Sequence, residues 1–404
     1  MDKFRVDNLP PYLLGEVGEK ILKARRAGTD VIDLSQVNPQ VPPPAMSIDY
    51  LVGEVIREHN HRYSASKGIT RLREAAAELY ARRFSVELDP ESEVIATMGS
   101  KEGLSSLMLS SLEPGDTVLL PTPAYSTYAA QAFFAGAKTE KVPLFDGELD
   151  LSKPIKMEDA GAGFLSRLEE RYQSIWPRPK MLLVNFPNNP STATAGPEFF
   201  SELVSFAKDK QILLVNDFSY MGIEFDSYKS SSLLSVPGAK DVAVELISLS
   251  KGFSLPGWRV GFAAGSSVAI SALSRIKSYS DFGIFQPLQI AAARILESSE
   301  AILSDTSALY SERRDILSSG LEKLGWEVAI NKATLFLWAR VPQKLRAKGS
   351  IRVTEELLEQ AALACLPGAG FDKNFDEFVR FSLVESPERL KTAIERLETC
   401  SLNC

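Results

Sequence analysis

Histidine is nearly absent from this chain of 404 residues, which has only His59 and His61. Serine–histidine catalysis and histidine-ligated metals therefore have little to build on, and we expect no metal site. The three cysteines, Cys365, Cys400 and Cys404, show neither metal-ligand nor paired disulfide spacing, which favours a reducing cytoplasm. Any catalysis must therefore depend on other side chains.

Long apolar runs and an excess of basic residues are also missing. No run reaches the roughly 18 apolar residues of a membrane span, and the N-terminus lacks the apolar core of a signal peptide. The formal net charge is −7, with 45 lysines and arginines against 52 aspartates and glutamates. We therefore expect neither a membrane nor a nucleic acid as partner.

Short apolar runs, in contrast, recur between helical segments. They are EVIAT (93–97), TVLLP (117–121), MLLVN (181–185), ILLVND (212–217), AVELISL (243–249) and VGFAAG (260–265). Runs this apolar are typical of strands buried on both faces, as in a mostly parallel sheet covered by helices. Between the third and fourth runs, Phe199, Leu203 and Phe206 follow Pro197 at helical spacing, which predicts a βαβ unit. Repetition of this unit predicts an α/β domain.

The pattern changes after about residue 290, where long polar helices precede short strands. A final helix is expected to begin at Pro387 with Ser386 as its N-cap. We predict three parts: an N-terminal arm and helix that pack with the small domain, a large cofactor-binding domain, and a smaller α+β domain. Their predicted bounds are residues 1–45, 46–290 and 291–404.

Four polar segments stand out at the predicted strand ends. They are TMGSKEGL (97–104), NFPNNPST (185–192), NDFSY (216–220) and SLSKGFSLPGWRVGF (248–262). Each alone is as typical of a turn or a strand cap as of a site. Together they supply a phosphate cradle, an amide, a carboxylate, a phenol and a lysine, at the sheet edge where open α/β folds bind ligands. Pyridoxal 5′-phosphate would use all five, since it forms a Schiff base with lysine, has a pyridine nitrogen that needs a carboxylate, and carries a phosphate.

These segments resemble those of the fold-type I aminotransferases of class I and II, over nearly the whole chain. SLSKGFSLPGWRVGF is similar to the family signature S-x-S-K-x(5)-G-x-R-x-G, which is highly specific. Further segments follow in the family's order: RYSASKGITRLREA, GSKEGL, LEPGDTVLLPTPAYSTY and VRFSLVES. Within the family, LPPYLLGEV, DVAVELISLSK and RIKSYSDFGIFQPLQIAAA are similar to the bacterial glutamate–pyruvate (alanine) aminotransferases.

The resemblance implies a role for each polar residue around the cofactor ring. Lys251 would form the Schiff base and then move a proton between substrate and cofactor. Asp217 would contact the pyridine nitrogen and favour its protonated form. Tyr220 and Asn189 would bond the ring 3′-oxygen, and Tyr125 would stack on the ring face. Lys251, Asp217 and Tyr220 are thus the expected catalytic residues.

The resemblance also implies how the phosphate is held. Ser248, Arg259 and the backbone amides of Ser100 and Lys101 would bind it, because an arginine fork and a helix N-terminus both suit a dianion. Tyr63 matches a tyrosine that reaches the phosphate of a neighbouring subunit. A homodimer is therefore expected, with each active site completed by its partner.

In substrate recognition, two positions close to the substrate depart from the family pattern. Arg380 would clamp the substrate α-carboxylate, beside Asn189, and could draw the small domain over the site. Val37 stands where the family usually has glycine, so it should narrow the pocket or shift its loop. Thr192 stands where the family has glycine or alanine, and it too leaves the amino-acid preference open.

The expected activity is transamination between a small neutral amino acid, alanine foremost, and 2-oxoglutarate by a ping-pong mechanism. The segment SYSDFGIF (278–285) has no second arginine for a distal carboxylate, so glutamate would need hydrogen bonds or a basic residue placed by the fold. Aspartate, LL-diaminopimelate or methionine as donor, or a pyridoxal-phosphate lyase on the same fold, stay open. A ligand-binding module of a transcription regulator is disfavoured, since about 400 residues leave no room for a helix-turn-helix domain.

Overall fold

The computed structural model describes residues 4–9, 12–147 and 149–400. Its α-helices, in chain order, are α1 (Leu13–Arg26), α2 (Ala45–Val55), α3 (Thr70–Phe84), α4 (Ser100–Ser111), α5 (Thr127–Phe134), α6 (Met157–Ser174), α7 (Pro197–Lys210), α8 (Ser267–Ser280), α9 (Gln286–Glu297), α10 (Ser299–Lys323), α11 (Gly349–Ala361) and α12 (Pro387–Thr399). Its strands are β1 (Ile32–Asp33), β2 (Val94–Thr97), β3 (Thr117–Thr122), β4 (Lys138–Pro143), β5 (Met181–Val184), β6 (Leu213–Asp217), β7 (Ala243–Ser248), β8 (Gly261–Gly265), β9 (Glu327–Val328), β10 (Phe336–Arg340), β11 (Leu363–Ala364), β12 (Leu366–Pro367) and β13 (Phe378–Ser382).

A large sheet carries the strand ends that the sequence singles out. Its order is β2-β8-β7-β6-β5-β3-β4. Neighbours from β7 to β4 are parallel, whereas β8 is antiparallel to both β7 and β2. Two antiparallel pairings restore the direction, so β2 runs the same way as β7. The carboxyl ends of β2, β6 and β7 therefore meet at one edge of the sheet.

The predicted α/β architecture is confirmed, with one strand of the large sheet missed and the direction of another unspecified. Each of the six apolar runs forms a strand, and α7 begins with Pro197 at its first turn. The edge strand β4 has the sequence KTEKVP and is mostly solvent-accessible, so it lacks the apolar signal of its neighbours. The antiparallel direction of β8 could not be read from its composition.

A second sheet lies in the last quarter of the chain. Its order is β12-β13-β10-β9, with antiparallel pairs, and helices α10 and α12 pack against each other beside it. Buried Trp338 stacks on Phe378 with ring centroids 5.1 Å apart. Ser386 caps α12 as predicted, accepting a hydrogen bond from the Arg389 amide.

The N-terminal region contacts this second part of the molecule. Ile21 of α1 is buried against Val31 and Ala364, and β1 pairs in parallel with β11. These contacts agree with an arm that packs on the small domain. The bounds 1–45, 46–290 and 291–404 themselves stay predictions.

Candidate active site

A cavity of about 250 Å³ opens where β2, β6 and β7 end. All but one of the site residues predicted from the sequence line it. They are Val37, Ser100, Lys101, Tyr125, Asn189, Asp217, Tyr220, Ser248, Lys251, Arg259 and Arg380. Tyr63 is the exception: it is 84% exposed and lies against Phe282, with ring centroids 4.6 Å apart. Eleven positions spread over more than 340 residues of sequence thus converge on one cavity.

Lys251 lies just beyond the end of β7, and its amine points into the cavity. The amine donates a hydrogen bond to the backbone carbonyl of Val37. Burial, followed by the positive charges of Arg380 and Arg259, lowers the pKa of Lys251 to about 8, while Asp217 opposes that shift. The unprotonated amine, which is the form that a nucleophile or base requires, therefore forms at a lower pH than in an ordinary lysine.

Asp217 ends β6 with both carboxylate oxygens engaged. The Tyr128 hydroxyl donates to Oδ2 at 2.7 Å, and the Ser219 hydroxyl donates to Oδ1 at 2.5 Å. Burial raises the pKa of Asp217, and the hydrogen bonds from Ser219 and Tyr128 act against that rise. Asn185 fixes the strand end, because its Nδ2 donates to the backbone carbonyl of Asp217 at 2.6 Å.

Two tyrosines, Tyr220 and Tyr125, line the cavity together with Lys251 and Asp217. Tyr220 is buried, and its ring meets Phe336 edge-on with centroids 5.3 Å apart. Burial raises the pKa of Tyr220 well above its ordinary value, and Arg380 opposes the rise. Tyr125 packs edge-on against Tyr128, with centroids 5.6 Å apart. A neutral phenol and a flat ring face are thus available to a planar ligand.

The turn between β2 and α4 forms an anion-binding cradle. Helix α4 begins at Ser100, directly after Gly99, whose φ is +81°. A Cβ at Gly99 would lie 2.5 Å from Nη2 of Arg259, so only glycine lets this guanidinium approach the helix start. Arg259 Nη1 also donates to the Ser250 hydroxyl at 3.3 Å, and the Ser248 hydroxyl donates to Ser250 at 2.9 Å. Helix amides, an arginine and hydroxyls therefore face one point.

Arg380 crosses from the small sheet into the cavity. It is 1% exposed, and its guanidinium donates to Asn189 Oδ1 at 2.8 Å and to the Ser35 carbonyl at 2.7 Å. The guanidinium carbon lies 5.1 Å from the ring centroid of Phe336 and 5.2 Å from that of Phe371. Its Nε has no hydrogen-bond partner among the described residues. A buried arginine with a spare N–H is suited to a carboxylate ligand.

The two departures from the family pattern differ in position. Val37 is half-buried and lines the cavity. Thr192 is buried but is not among the lining residues, and its φ of +62° lies in the region that favours glycine. The Thr192 departure is therefore a matter of backbone strain, and only Val37 can act directly on cavity shape.

Several residues that line the cavity were not predicted from the sequence. Tyr128 and Ser219 bond Asp217, and Gln131 Nε2 donates to the backbone carbonyl of Lys101 at 2.7 Å. Tyr128 lies in the first turn of α5, three residues after Tyr125, which precedes the helix, and this short spacing was the one available signal. Ser219 lies between Asp217 and Tyr220, where nothing in the sequence separates it from a turn residue.

The cavity fits pyridoxal phosphate on its own chemistry. A lysine of lowered pKa, a buried carboxylate, a phenol and an anion cradle that a single Cβ would obstruct share one space. Among the residues that the structure describes, no group of three or more histidines, cysteines, aspartates or glutamates is placed to hold a metal ion. In the same described ranges, no helix has the length and apolar character needed to cross a membrane.

Comparison with known proteins assigns the class. The family model "Aminotransferase class I and II" matches residues 29–397. The chain belongs to this family: it is a pyridoxal-phosphate-dependent transaminase of fold type I.

Individual relatives cover almost the whole chain. The glutamate-pyruvate aminotransferase AlaC of Escherichia coli is 41% identical, over 98% of this chain and 92% of AlaC. An LL-diaminopimelate aminotransferase of Natranaerobius thermophilus is 39% identical over 97% of both chains. A substrate-bound BacF structure from Bacillus subtilis is 31% identical with a TM-score of 0.90, covering 98% of this chain and 97% of that one.

Proposed function

We propose that the enzyme transfers the amino group between alanine and 2-oxoglutarate by a ping-pong mechanism. One observation carries this proposal: among the lining residues in the described ranges, Arg259 and Arg380 are the arginines, and neither is free for a substrate side chain. Arg259 belongs to the phosphate cradle and Arg380 suits the α-carboxylate that every amino acid has. A small neutral side chain needs no further cation, and Val37 beside it favours a small one.

Lys101 offers the distal carboxylate of 2-oxoglutarate a cation. Four cationic side chains line the cavity: Lys101, Lys251, Arg259 and Arg380. The last three have roles toward groups that all substrates or the cofactor share. Lys101 is an exposed residue that lines the cavity, and its Nζ lies 5.7 Å from the ring centroid of Tyr12. We assign to it the attraction of the second carboxylate, as a point charge on a flexible side chain.

The protein groups would act on cofactor and substrate as follows. Bound pyridoxal phosphate supplies an aldehyde that condenses with amines and a ring that accepts electrons from the substrate α-carbon. The Lys251 amine would hold the cofactor through that aldehyde, and the same amine would serve as the base that moves a proton at the substrate α-carbon. Asp217 would hold the ring-nitrogen proton, Tyr220 and Asn189 would bind the ring oxygen, and Tyr125 would cover one ring face.

The phosphate and the substrate carboxylate would be bound at opposite ends of the cavity. The amides of Ser100 and Lys101, with Ser248 and Arg259, bind the phosphate. Arg380 binds the α-carboxylate by its guanidinium fork and orients the α-carbon toward Lys251.

LL-Diaminopimelate is a second candidate donor. The observation that favours it is the 39% identity to an LL-diaminopimelate aminotransferase over 97% of both chains, close to the 41% shared with AlaC. The side chain of LL-diaminopimelate is longer than that of alanine and would reach toward Lys101. The positive charge of Lys101 would repel the distal ammonium of this donor and attract its distal carboxylate.

We further propose a homodimer in which Tyr63 reaches the partner's phosphate site. Tyr63, Tyr279 and Phe282 are 84%, 87% and 63% exposed, an aromatic surface that a monomer rarely leaves open. A cytoplasmic location is also proposed, on the free thiols of Cys365 and Cys400, while Cys404 lies outside the described residues.

Initial rates with several donors test the substrate proposal. Purified enzyme with added cofactor is given 2-oxoglutarate and either L-alanine, L-aspartate, L-methionine or LL-diaminopimelate. The highest kcat/KM is expected for L-alanine, with pyruvate and glutamate formed in equal amounts and no ammonia released. A higher value for another donor would replace alanine, and ammonia release would indicate a lyase. Lys251→Ala, which should keep the fold and lose turnover, is the control for the catalytic assignment.

A further inference from the structure

A chain of hydroxyl groups joins Asp217 to the start of α4. The Ser219 Oγ lies 2.5 Å from Asp217 Oδ1 and 2.8 Å from the Ser100 Oγ. All three side chains line the cavity. The chain therefore spans from the carboxylate assigned to the ring nitrogen to the helix start assigned to the phosphate.

The direction of the hydrogens in this chain follows from counting donors. An ionised carboxylate only accepts hydrogen bonds, and a serine hydroxyl has a single hydrogen. Ser219 must then give its hydrogen to Asp217, as the geometry has it. The contact between the two serines is left with one possible donor, the hydroxyl of Ser100. While that contact lasts, the Ser100 hydroxyl has no hydrogen to donate to a phosphate.

We propose that Ser219 is a positioning residue that accepts the Ser100 hydrogen and so keeps it from the phosphate. The phosphate site and the ring-nitrogen site then compete for the Ser100 hydrogen. This inference rests on the proposed function, in which Asp217 contacts the ring nitrogen and the Ser100 amide binds the phosphate, and it adds a phosphate contact from the Ser100 hydroxyl. A phosphate that captures the Ser100 hydrogen removes a donor from Ser219, and the Ser219 bond to Asp217 weakens because neighbouring hydrogen bonds polarise one another. Occupancy at one end of the cofactor thereby affects the carboxylate at the other.

The burial of Asp217 gives this competition its importance. The carboxylate is buried, and burial raises its pKa while Ser219 and Tyr128 act in the opposite direction. Among the described residues, the side chains that donate hydrogen bonds to the Asp217 carboxylate oxygens are those of Ser219 and Tyr128. Any weakening of the Ser219 bond makes Asp217 a stronger proton acceptor, which favours a protonated ring nitrogen when the phosphate is in place.

Removal of the Ser219 hydroxyl should raise the selectivity for a phosphorylated ligand, a change opposite to the one expected if the substitution only disturbed the local structure. Ser219→Ala frees the Ser100 hydroxyl to donate to the phosphate, so selectivity for a phosphorylated ligand should rise. A residue that only supported the fold would lower that selectivity or leave it unchanged.

The experiment compares two probes on the cofactor-free protein: pyridoxal phosphate and pyridoxal, which lacks the phosphate. Their Kd values are measured by fluorescence titration for the wild type, Ser219→Ala, Ser219→Thr, Ser100→Ala and the double alanine variant. The ratio of Kd for pyridoxal to Kd for pyridoxal phosphate should rise about tenfold in Ser219→Ala, the size of one hydrogen bond to a charged group. Ser219→Thr, which keeps the hydroxyl, should restore the wild-type ratio.

The Ser100→Ala background isolates the mechanism. There, the Ser219→Ala change should leave the ratio unaltered, because the competing hydrogen is gone. A ratio that stays constant or falls in Ser219→Ala, or an equal rise in the Ser100→Ala background, would overturn the inference. Failure of the wild type to bind pyridoxal phosphate would instead refute the proposed function, so the two failures are distinguishable.

Discussion

The amine of Lys251 loses its proton at a lower pH than an ordinary lysine does. Burial and two neighbouring guanidinium groups, those of Arg380 and Arg259, lower its pKa to about 8. The nucleophile is thus prepared by its surroundings before any ligand arrives. Such preparation destabilises the folded protein, because the protonated lysine is easier to accommodate in the unfolded chain.

This destabilisation predicts a pH-dependent difference in stability. Between pH 8 and the ordinary lysine value of 10.5, the unfolded chain binds more protons at Lys251 than the folded one does, so stability contributed by this site rises with pH. Below pH 8 Lys251 is protonated in both the folded and the unfolded chain, so the full free-energy cost of burying its charge is present. Cofactor-free Lys251→Met should therefore be more stable than wild type at pH 7, by about 2 kcal/mol, a value reduced from the full shift because the amine borders the cavity.

Urea unfolding of the cofactor-free proteins from pH 7 to 10.5 checks that expectation. The advantage of Lys251→Met should shrink across the window and vanish near its upper end. Lys23→Met, on the exposed face of α1, serves as the matched control and should show no such trend. An advantage that is independent of pH would mean that the gain comes from packing and not from charge.

Lys101 carries a second prediction at this scale. Lys101→Gln keeps the backbone amide assigned to the phosphate and removes only the side-chain charge. The KM for 2-oxoglutarate and for glutamate should rise about tenfold, while the KM for alanine should change little, since only the former pair has a distal carboxylate. Steady-state kinetics in both directions measure this. Equal increases for all substrates would assign Lys101 to the cofactor alone.

At the scale of elements, the turn from β2 into α4 positions the phosphate cradle. Its Gly99 is needed twice, once for a φ of +81° and once for the close approach of Arg259. Gly115 offers a matched control, because its φ is +96° but an added Cβ would meet no atom within 4 Å. Gly99→Ala and Gly115→Ala should each lose about 1 kcal/mol of stability from backbone strain.

Only Gly99→Ala should also weaken cofactor binding, by at least about tenfold, because its Cβ displaces the Arg259 guanidinium. Thermal unfolding and titration with pyridoxal phosphate separate the two effects. Equal affinities in the two variants would show that Arg259 does not depend on this turn.

Elements differ in how far the sequence foretells them. The buried strands are predictable because short apolar runs bounded by turns are typical of strands buried on both faces. The signature around Lys251 and Arg259 identifies the site. The edge strand β4 escapes, since one edge of a sheet can be polar. Tyr128 and Ser219 escape as well, because their partner Asp217 is 89 and 2 residues away and only the fold turns them toward it.

At the scale of the whole molecule, the role proposed for Tyr63 requires two copies of the chain. Tyr63 is 84% exposed and does not line the cavity of the chain to which it belongs, so its proposed role depends on a partner subunit. Heterodimers of Lys251→Ala and Tyr63→Ala subunits, purified by two tags, test this. One site in each heterodimer would be intact, with about half the wild-type turnover, whereas both homodimers would be strongly impaired. An inactive heterodimer would place the action of Tyr63 within its own chain.

The function proposed for this enzyme is the transfer of the amino group of alanine to a cofactor held by Lys251. The most direct measurement is the absorption spectrum of the purified holoenzyme before and after addition of L-alanine, L-aspartate, L-glutamate, L-methionine or LL-diaminopimelate, each alone and without an oxo acid. We expect a band of the Lys251-bound cofactor that L-alanine and L-glutamate convert to that of the aminated cofactor, with one equivalent of oxo acid per site. Absence of the band after reconstitution with pyridoxal phosphate, or conversion by another donor and not by L-alanine, would contradict the account.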